Sequence, residues 1–77
     1  MKDWISTEEM LEALKNDPDN DQEYHHWIGG ILFSTYFMKY DSHKNLFEVS
    51  LDWIEFEYYT EAEFLKDYAG HLWHRDA

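Results

Sequence analysis

The chain has 77 residues, of which 17 are Asp or Glu and 6 are Lys or Arg, so its formal net charge is −11, and 19 % of its residues are aromatic. Acidic chains with few aromatic residues tend to stay disordered, but 4 Trp, 6 Tyr and 5 Phe supply enough apolar area to order a small domain. Direct binding to nucleic acids or to anionic membranes is disfavoured, because such binding needs Lys and Arg to neutralise phosphates.

The length predicts one domain with one small core, spanning residues 1–77. The chain has no Cys, which excludes disulfides and thiolate metal sites and is compatible with a reducing compartment. We find no apolar leader at the N-terminus and no window that approaches the roughly 18 apolar residues of a membrane span. We therefore expect a cytoplasmic protein whose partners are positively charged protein surfaces.

The first predicted element is a helix that begins after a capping box. Ser6 and Glu9 have the spacing at which each side chain binds the backbone N–H of the other residue. This pattern predicts a helix from about Thr7 to Asn16, and Pro18 makes its continuation unfavourable. The acidic run from Asn16 to Glu23 is typical of a loop.

The middle of the chain predicts a β-hairpin. The run from Tyr24 to Ile28 is compatible with a helical turn or a strand, and Gly29 and Gly30 break its pattern. Ile31 to Tyr40 is rich in β-branched and aromatic residues, which favours a strand. After turn residues at 41–45, alternation resumes, with Phe47, Val49, Leu51 and Trp53 expected inward and Glu48, Ser50 and Asp52 outward.

The alternation changes phase at Trp53 and Ile54, which requires a bulge or a tight turn into a third strand carrying Ile54, Phe56 and Tyr58. Thr60 and Glu63 form a second capping box, which predicts a helix. Its expected apolar face consists of Phe64, Leu65, Tyr68, Ala69, Leu72 and Trp73. The predicted fold class is therefore α+β: an N-terminal helix, a two- to three-stranded antiparallel sheet and a C-terminal amphipathic helix.

The main candidate site is a row of acids with no Lys or Arg between Asn45 and Leu65. Along a strand, residues i and i+2 lie about 6.5–7 Å apart, close to the spacing of successive phosphates, so such a row could imitate a nucleic-acid backbone. Neighbouring rings could bind Arg and Lys of a partner by cation–π contact. The alternative is a solvated sheet face. The predicted partner-binding residues are Glu48, Asp52, Glu55, Glu57, Tyr58, Tyr59, Glu61 and Glu63.

Other kinds of site are less favoured by the sequence. His71 and His74 would lie at i and i+3 on the last helix, where Asp67 or Asp76 could complete a metal site, but surface histidines at a helix C-terminus explain them equally well. Glu55 and Glu57 are the best pair for acid–base catalysis, but the sequence gives no sign of a substrate-binding cleft near them. We expect no enzymatic activity, no metal and no cofactor.

In size, acidity, lack of Cys and mixed α/β order, the chain resembles phage-borne inhibitors of nucleic-acid-binding proteins, including anti-CRISPR, anti-restriction and uracil-glycosylase-inhibitor proteins. The resemblance is carried by the acid runs from Asp17 to Glu23 and from Glu48 to Glu63. It implies binding in the DNA channel of a nuclease, repair enzyme or polymerase. Locally, Tyr59 to Phe64 is similar to a helix-opening segment of colicin DNase immunity proteins, which are all-helical.

The leading hypothesis from the sequence is a non-enzymatic inhibitor of the DNA-mimic type, which docks an acidic, aromatic face on a basic surface of a nucleic-acid-binding enzyme. One alternative is an immunity or antitoxin protein that neutralises a basic toxin. Another is a structural subunit that self-associates through its rings, for example as a homodimer. These alternatives share the acidic row but predict different partners.

Overall fold

The computed structural model describes residues 4–28 and 31–75. The predicted break at Gly29 and Gly30 lies outside these residues. The first helix, α1, spans Thr7–Asn16 and begins with the predicted capping box: Ser6 Oγ accepts from Glu9 N–H at 3.2 Å, and Glu9 Oε1 accepts from Ser6 N–H at 3.1 Å. The predicted helix is confirmed.

All strand pairs are antiparallel and form one six-stranded sheet in the order β1-β6-β2-β3-β4-β5. The strands are β1 (Ile5–Ser6), β2 (Gln22–Ile28), β3 (Ile31–Asp41), β4 (Leu46–Ser50), β5 (Glu57–Tyr59) and β6 (Leu72–Arg75). The predicted two- to three-stranded sheet is therefore wrong. The missing strands β1 and β6 have two and four residues and pair with strands that are distant in sequence, so local alternation gives little sign of them. The run from Tyr24 to Ile28, which the sequence left open between a helical turn and a strand, belongs to β2.

The hairpin is confirmed as β3 and β4, with Lys39 opposite Glu48. Asn45 closes its turn with φ of 55°, a left-handed conformation that Asn tolerates better than most residues. The last two predicted inward positions of the second strand are wrong. Leu51 and Trp53 lie beyond the end of β4 and are 59 % and 48 % exposed, whereas Ser50, predicted to face outward, is buried.

The second helix, α2, spans Glu61–Asp67 and starts with the predicted capping box of Thr60 and Glu63. Its predicted extension through Trp73 is wrong. Gly70 adopts φ of 79°, which ends the helical path, and the chain returns as β6 between β1 and β2. Phe64 and Trp73 are both buried. One long amphipathic helix and a short helix followed by a strand would both bury these two rings, so the sequence pattern fits either.

Both helices pack on the same face of the sheet, because their apolar side chains join those of the strands in a single core. The buried hydrophobic residues are Met10, Leu11, Leu14, Tyr24, Tyr36, Met38, Phe47, Val49, Phe64 and Trp73. Thr7 links the layers: its Oγ1 donates to the Tyr68 carbonyl at 2.7 Å and accepts from Trp73 Nε1 at 2.9 Å. Within residues 4–28 and 31–75, the helices thus cover one face of the sheet and leave the other face without a helical layer.

Neither helix in the described part of the chain is long and apolar enough to cross a membrane.

Candidate protein-binding surface

Residues 51–58, which connect β4 to β5 and enter β5, form a segment in which exposed apolar side chains alternate with acids. We call it the acidic–aromatic segment. Its exposed apolar residues are Leu51 (59 %), Trp53 (48 %), Ile54 (80 %), Phe56 (38 %) and Tyr58 (51 %). Its acids, Asp52, Glu55 and Glu57, are also exposed. A single exposed apolar residue is ordinary, but several adjacent ones mark a surface that other molecules contact.

Two side chains hold the first half of the segment in a defined turn. Ser50 Oγ accepts from the N–H groups of Asp52 and Trp53, at 3.3 and 2.9 Å. Asp52 Oδ1 accepts from the N–H groups of Ile54 and Glu55, at 2.9 and 3.0 Å. Trp53 has φ of 66°, so the predicted phase change at this position is a tight turn. The exposure of the segment is therefore built into a specific backbone conformation.

Rings of the segment contact neighbours on the sheet and in the hairpin turn. The Trp53 ring lies 4.5 Å from the Phe37 ring, between centroids, which draws the turn over the uncovered face of the sheet. The Lys44 ammonium lies 5.8 Å from the centroid of the Tyr58 ring, within the range of a cation–π interaction. Tyr58 thus already receives a cation from its own chain.

The segment also closes one side of a cavity of about 150 Å³ on the helix-covered face of the sheet. The lining residues are Tyr36, Val49, Ser50, Leu51, Asp52, Glu55, Glu57 and Tyr68. Three of these carry carboxylates and two carry phenol groups. Among the described residues that line the cavity, none is Lys or Arg. The cavity is therefore negatively charged on its acidic side, and the rest of its lining combines two phenol rings with Val49, Ser50 and Leu51.

The protonation states of the lining groups follow from their contacts. The N–H groups of Glu55 and Ile54 hold the pKa of Asp52 below its ordinary value, so this carboxylate stays charged. Burial, with the neighbouring Tyr59 and Tyr36 hydroxyls, raises the pKa of Tyr68 far above its ordinary value. Tyr68 therefore remains a neutral phenol at every physiological pH, beside a charged acid.

The other predicted site residues have contacts of their own. Glu48 lies opposite the segment in β4 and forms an ion pair with Lys39 at 3.7 Å, so its charge is partly neutralised. Glu61 forms an ion pair with Lys15 at 3.0 Å, and a Glu63 carboxylate oxygen accepts from the Thr60 N–H at 2.9 Å. These three acids lie outside the acidic–aromatic segment and contribute mainly to hairpin and helix structure.

Tyr59 differs from Tyr58. Its ring packs against Phe64 at 5.3 Å between centroids, and burial raises its pKa above the ordinary value. Its hydroxyl donates to Glu57 Oε2 at 3.3 Å and so orients one carboxylate of the cavity. Tyr59 is thus a supporting residue of the surface, whereas Tyr58 is displayed on it.

A regular row of carboxylates at strand spacing is not formed. Residues 51–55 bend away from the strand path, and only Glu57–Tyr59 pair with β4. The structure brings Asp52, Glu55 and Glu57 together around the cavity instead. Sequence reasoning missed Leu51, Trp53, Ile54 and Phe56 as exposed residues, although the phase change at position 53 was a signal that the strand ended there.

The histidines do not form the helical pair that the sequence suggested. His71 Nδ1 lies 2.8 Å from His26 Nε2 within the core layer, whereas His74 lies in β6, with its ring near those of Trp4 and His25. His26 is buried, stacks on Trp73 at 4.2 Å, and has a pKa lowered to about 4 by burial and by His71. Because β6 replaces the end of the helix, His71 and His74 are not neighbours on one helical face.

In the part of the chain that the structure describes, a group of three side chains in the loop at residue 19 and the hairpin turn has the geometry of a possible metal site. Potential ligand atoms of Asp19, Asp41 and His43 lie within 4.8 Å of one another. Both Asp19 carboxylate oxygens accept hydrogen bonds from Ser42, and Asp41 Oδ1 accepts from the N–H groups of His43 and Lys44. The Asp19 carboxylate therefore joins its loop to the hairpin turn, and the Asp41 carboxylate stabilises the turn itself.

Neither protein-family models nor curated proteins nor solved structures give a match to this chain.

Proposed function

We propose that this protein is a non-enzymatic, cytoplasmic inhibitor that docks the acidic–aromatic segment on a basic surface of a partner protein. The observation that supports this proposal most strongly is the segment itself: five exposed apolar side chains, interleaved with three carboxylates, in a turn fixed by Ser50 and Asp52. The partner of the proposal is a nucleic-acid-binding enzyme, whose binding surface has the required positive charge.

The composition of the segment suits a protein interface. Aromatic side chains bury large areas and lose little rotamer entropy, while carboxylates beside them select a partner rich in Arg and Lys. The turn is held by hydrogen bonds within the chain, so part of the entropy cost of ordering this loop is already met before binding. Both features favour a stable complex over a transient electrostatic encounter.

The net charge supports the same proposal at longer range. A charge of −11 attracts a basic surface and accelerates encounter, and this attraction weakens as salt screens it. Once docked, the protein would occupy the surface that nucleic acid otherwise contacts. Inhibition would then occur by occlusion, with no covalent chemistry and no cofactor.

The experiment is affinity capture from a bacterial lysate at low ionic strength, followed by elution with salt and binding measurements on the purified partner. We expect a partner with a basic nucleic-acid-binding surface, a dissociation constant that rises steeply with salt, and competition between this protein and the partner's nucleic acid. A dissociation constant that does not depend on ionic strength, or simultaneous binding of both ligands, would contradict the proposal.

The structure indicates which acids to change. Asp52 holds the turn, so its substitution would mix a change of charge with a change of shape. The double variant Glu55→Gln/Glu57→Gln removes two charges from the cavity side of the segment. The double variant Glu8→Gln/Glu12→Gln is the matched control, because it removes two exposed Glu charges from α1.

A second pair of variants tests the apolar part of the surface. Ile54 is 80 % exposed, and Ile54→Ser removes its apolar area without creating a core cavity. Leu72, 39 % exposed in β6, provides the control variant Leu72→Ser at a position outside the segment. We expect only Ile54→Ser to weaken partner binding, by about threefold to tenfold, as is usual for loss of one aliphatic side chain at an interface.

A further inference from the structure

We propose that the cavity beside the acidic–aromatic segment receives the side chain of one arginine from the partner protein. This inference rests on the proposed function and specifies the partner chemistry of the same surface. It depends on three properties of the cavity, namely its size, its charge and its aromatic walls.

The size of the cavity fits a single side chain. Its volume is about 150 Å³. Pockets for cofactors and drug-sized molecules usually measure about 300–1,000 Å³. The cavity is therefore too small for such ligands, but it has room for one long side chain that enters from a docked surface.

The charge of the cavity selects a cation. Asp52, Glu55 and Glu57 all line it, and none of its described lining residues is Lys or Arg. Asp52 is fixed by the N–H groups of Ile54 and Glu55, and Glu57 accepts from the Tyr59 hydroxyl. At least two of the three carboxylates are thus positioned before any ligand arrives, which reduces the entropy cost of binding.

The walls favour arginine over lysine. Tyr36 and Tyr68 line the cavity, with 6.3 Å and an angle of 83° between their rings, and one face of the Tyr68 ring is stacked on Phe64. A guanidinium group is planar, stacks on aromatic faces and donates several hydrogen bonds in a fixed fork, whereas an ammonium is compact and strongly hydrated. Carboxylates on one side and phenol rings on another therefore match the shape and donor pattern of arginine.

The surroundings of the cavity fit an anchor residue. Leu51 contributes to its lining and is itself exposed, and further apolar side chains of the segment lie next to it in sequence. Interfaces commonly place an Arg or an aromatic residue in a central pocket, with less important contacts around it that exclude water. In this arrangement the arginine would fix the register of docking while the segment supplies area.

The probe is Nα-acetylarginine amide, titrated into the full chain while backbone amide shifts are followed by NMR. We expect saturable shifts confined to Tyr36, Tyr68 and residues 49–57. Nα-acetylcitrulline amide has nearly the same shape without the charge and should give no saturable shifts. Nα-acetyllysine amide should bind more weakly than the arginine probe. Equal binding of citrulline or lysine, shifts elsewhere, or no shifts would overturn the proposal.

Two variants locate the binding. Glu55→Gln/Glu57→Gln should weaken the arginine probe about tenfold, because it removes two charge-assisted contacts. Glu8→Gln/Glu12→Gln should leave its affinity unchanged. Equal weakening by both variants would show that arginine responds to net charge and would overturn the cavity as its site. Both variants alter exposed residues, and an unchanged amide spectrum outside the altered positions shows that the fold is kept.

The same experiments separate this inference from the proposed function. If the arginine probe does not bind but salt-sensitive partner capture depends on Glu55 and Glu57, the cavity proposal fails and the proposed function stands. If the probe binds but no basic partner is captured, the proposed function fails and the arginine site stands.

Discussion

Two loops of this protein are rich in acids, but they use their carboxylates differently. In the loop at residues 17–21, Asp17 accepts from Asn20 and Gln22, and Asp19 accepts from Ser42. The acidic–aromatic segment at 51–58 uses Asp52 in the same way but presents Glu55 and Glu57 to a cavity, beside exposed rings.

Acidity alone does not identify a binding surface. The first loop has carboxylates and no aromatic side chain, and its acids join it to the hairpin turn and to β2. The acidic–aromatic segment exposes apolar side chains that do not belong to the core of this small domain. Their exposure is the reason to assign function to the second loop.

The largest expected effect contrasts two tryptophans. Trp73 is fully buried, and Trp73→Ala should cost about 3–5 kcal/mol of unfolding free energy. Trp53 belongs to the segment and is 48 % exposed, and Trp53→Ala should cost about 1 kcal/mol or less, since the aromatic contact that it loses is the one with Phe37. Urea denaturation of both variants checks this. If Trp53→Ala were as damaging as Trp73→Ala, the segment would be part of the core and the comparison would fail.

The next effect concerns pH and the core. The pKa of His26 is about 4 in the folded protein and 6.5 in the unfolded chain, so between these values only the unfolded chain binds the proton. Stability is therefore fully present above about pH 6.5 and falls by about 3 kcal/mol as the pH approaches 4. The neighbours of His26 are the buried Trp73 and Tyr36 and the half-buried His71 and Tyr68.

Urea denaturation between pH 7 and pH 5 isolates this contribution, because the carboxylates with lowered pKa values titrate at lower pH. We expect His26→Phe to flatten the pH profile. The control His43→Gln removes a histidine whose side chain is 89 % exposed and should keep the wild-type slope. A flat wild-type profile in this range would contradict the buried, neutral state of His26.

A smaller effect is expected at the junction of the layers. Thr7→Val keeps the shape of the side chain but removes the hydroxyl that contacts the Tyr68 carbonyl and Trp73 Nε1. Trp73 Nε1 loses its hydrogen-bond acceptor, while the Tyr68 carbonyl keeps the His71 N–H, and the cost should be about 1–3 kcal/mol in urea denaturation. A variant as stable as the wild type would show that water replaces the hydroxyl and that Thr7 does not fix the position of β6.

The sequence predicted those elements of the fold whose signals lie within a few neighbouring residues. The capping box at Ser6 and the hairpin of β3 and β4 have local signals, and both were confirmed. The strand β6 has four residues and depends on pairing with β1 and β2, and its apolar positions also fit a helix. Only the tertiary pairing decides between the two, so local periodicity gave the wrong element.

The candidate site likewise combines features that local sequence signals predict with features that depend on tertiary contacts. The location of an acidic, aromatic surface between Glu48 and Glu63 follows from composition and stays a prediction. The exposure of Leu51 and Trp53 was not predicted, because the alternation continues as far as Trp53 and indicated that β4 would extend beyond Ser50. Hydrogen bonds of Ser50 and Asp52 end the strand there, and the cavity with Tyr36 and Tyr68 depends on contacts between distant elements.

The smallest stability effect compares the two acidic loops directly. Asn tolerates the left-handed backbone at position 19, where φ is 64°, so Asp19→Asn removes the charge and keeps the turn. It should lower the urea midpoint slightly, because the charged acceptor of the Ser42 hydrogen bonds is lost. Glu55→Gln should leave the midpoint unchanged. If Glu55→Gln lowered the urea midpoint and Asp19→Asn left it unchanged, the structural role would belong to the acidic–aromatic segment, which would contradict the comparison.

The central claim is that the acidic–aromatic segment, and not the overall charge, binds the partner. The most direct test measures the affinity of the captured partner for Glu55→Gln/Glu57→Gln and for Glu8→Gln/Glu12→Gln, two variants that each lose two negative charges, in one buffer. We expect the first to bind at least about tenfold more weakly than the wild type and the second to bind within about twofold of it. Equal weakening by both variants would contradict the claim.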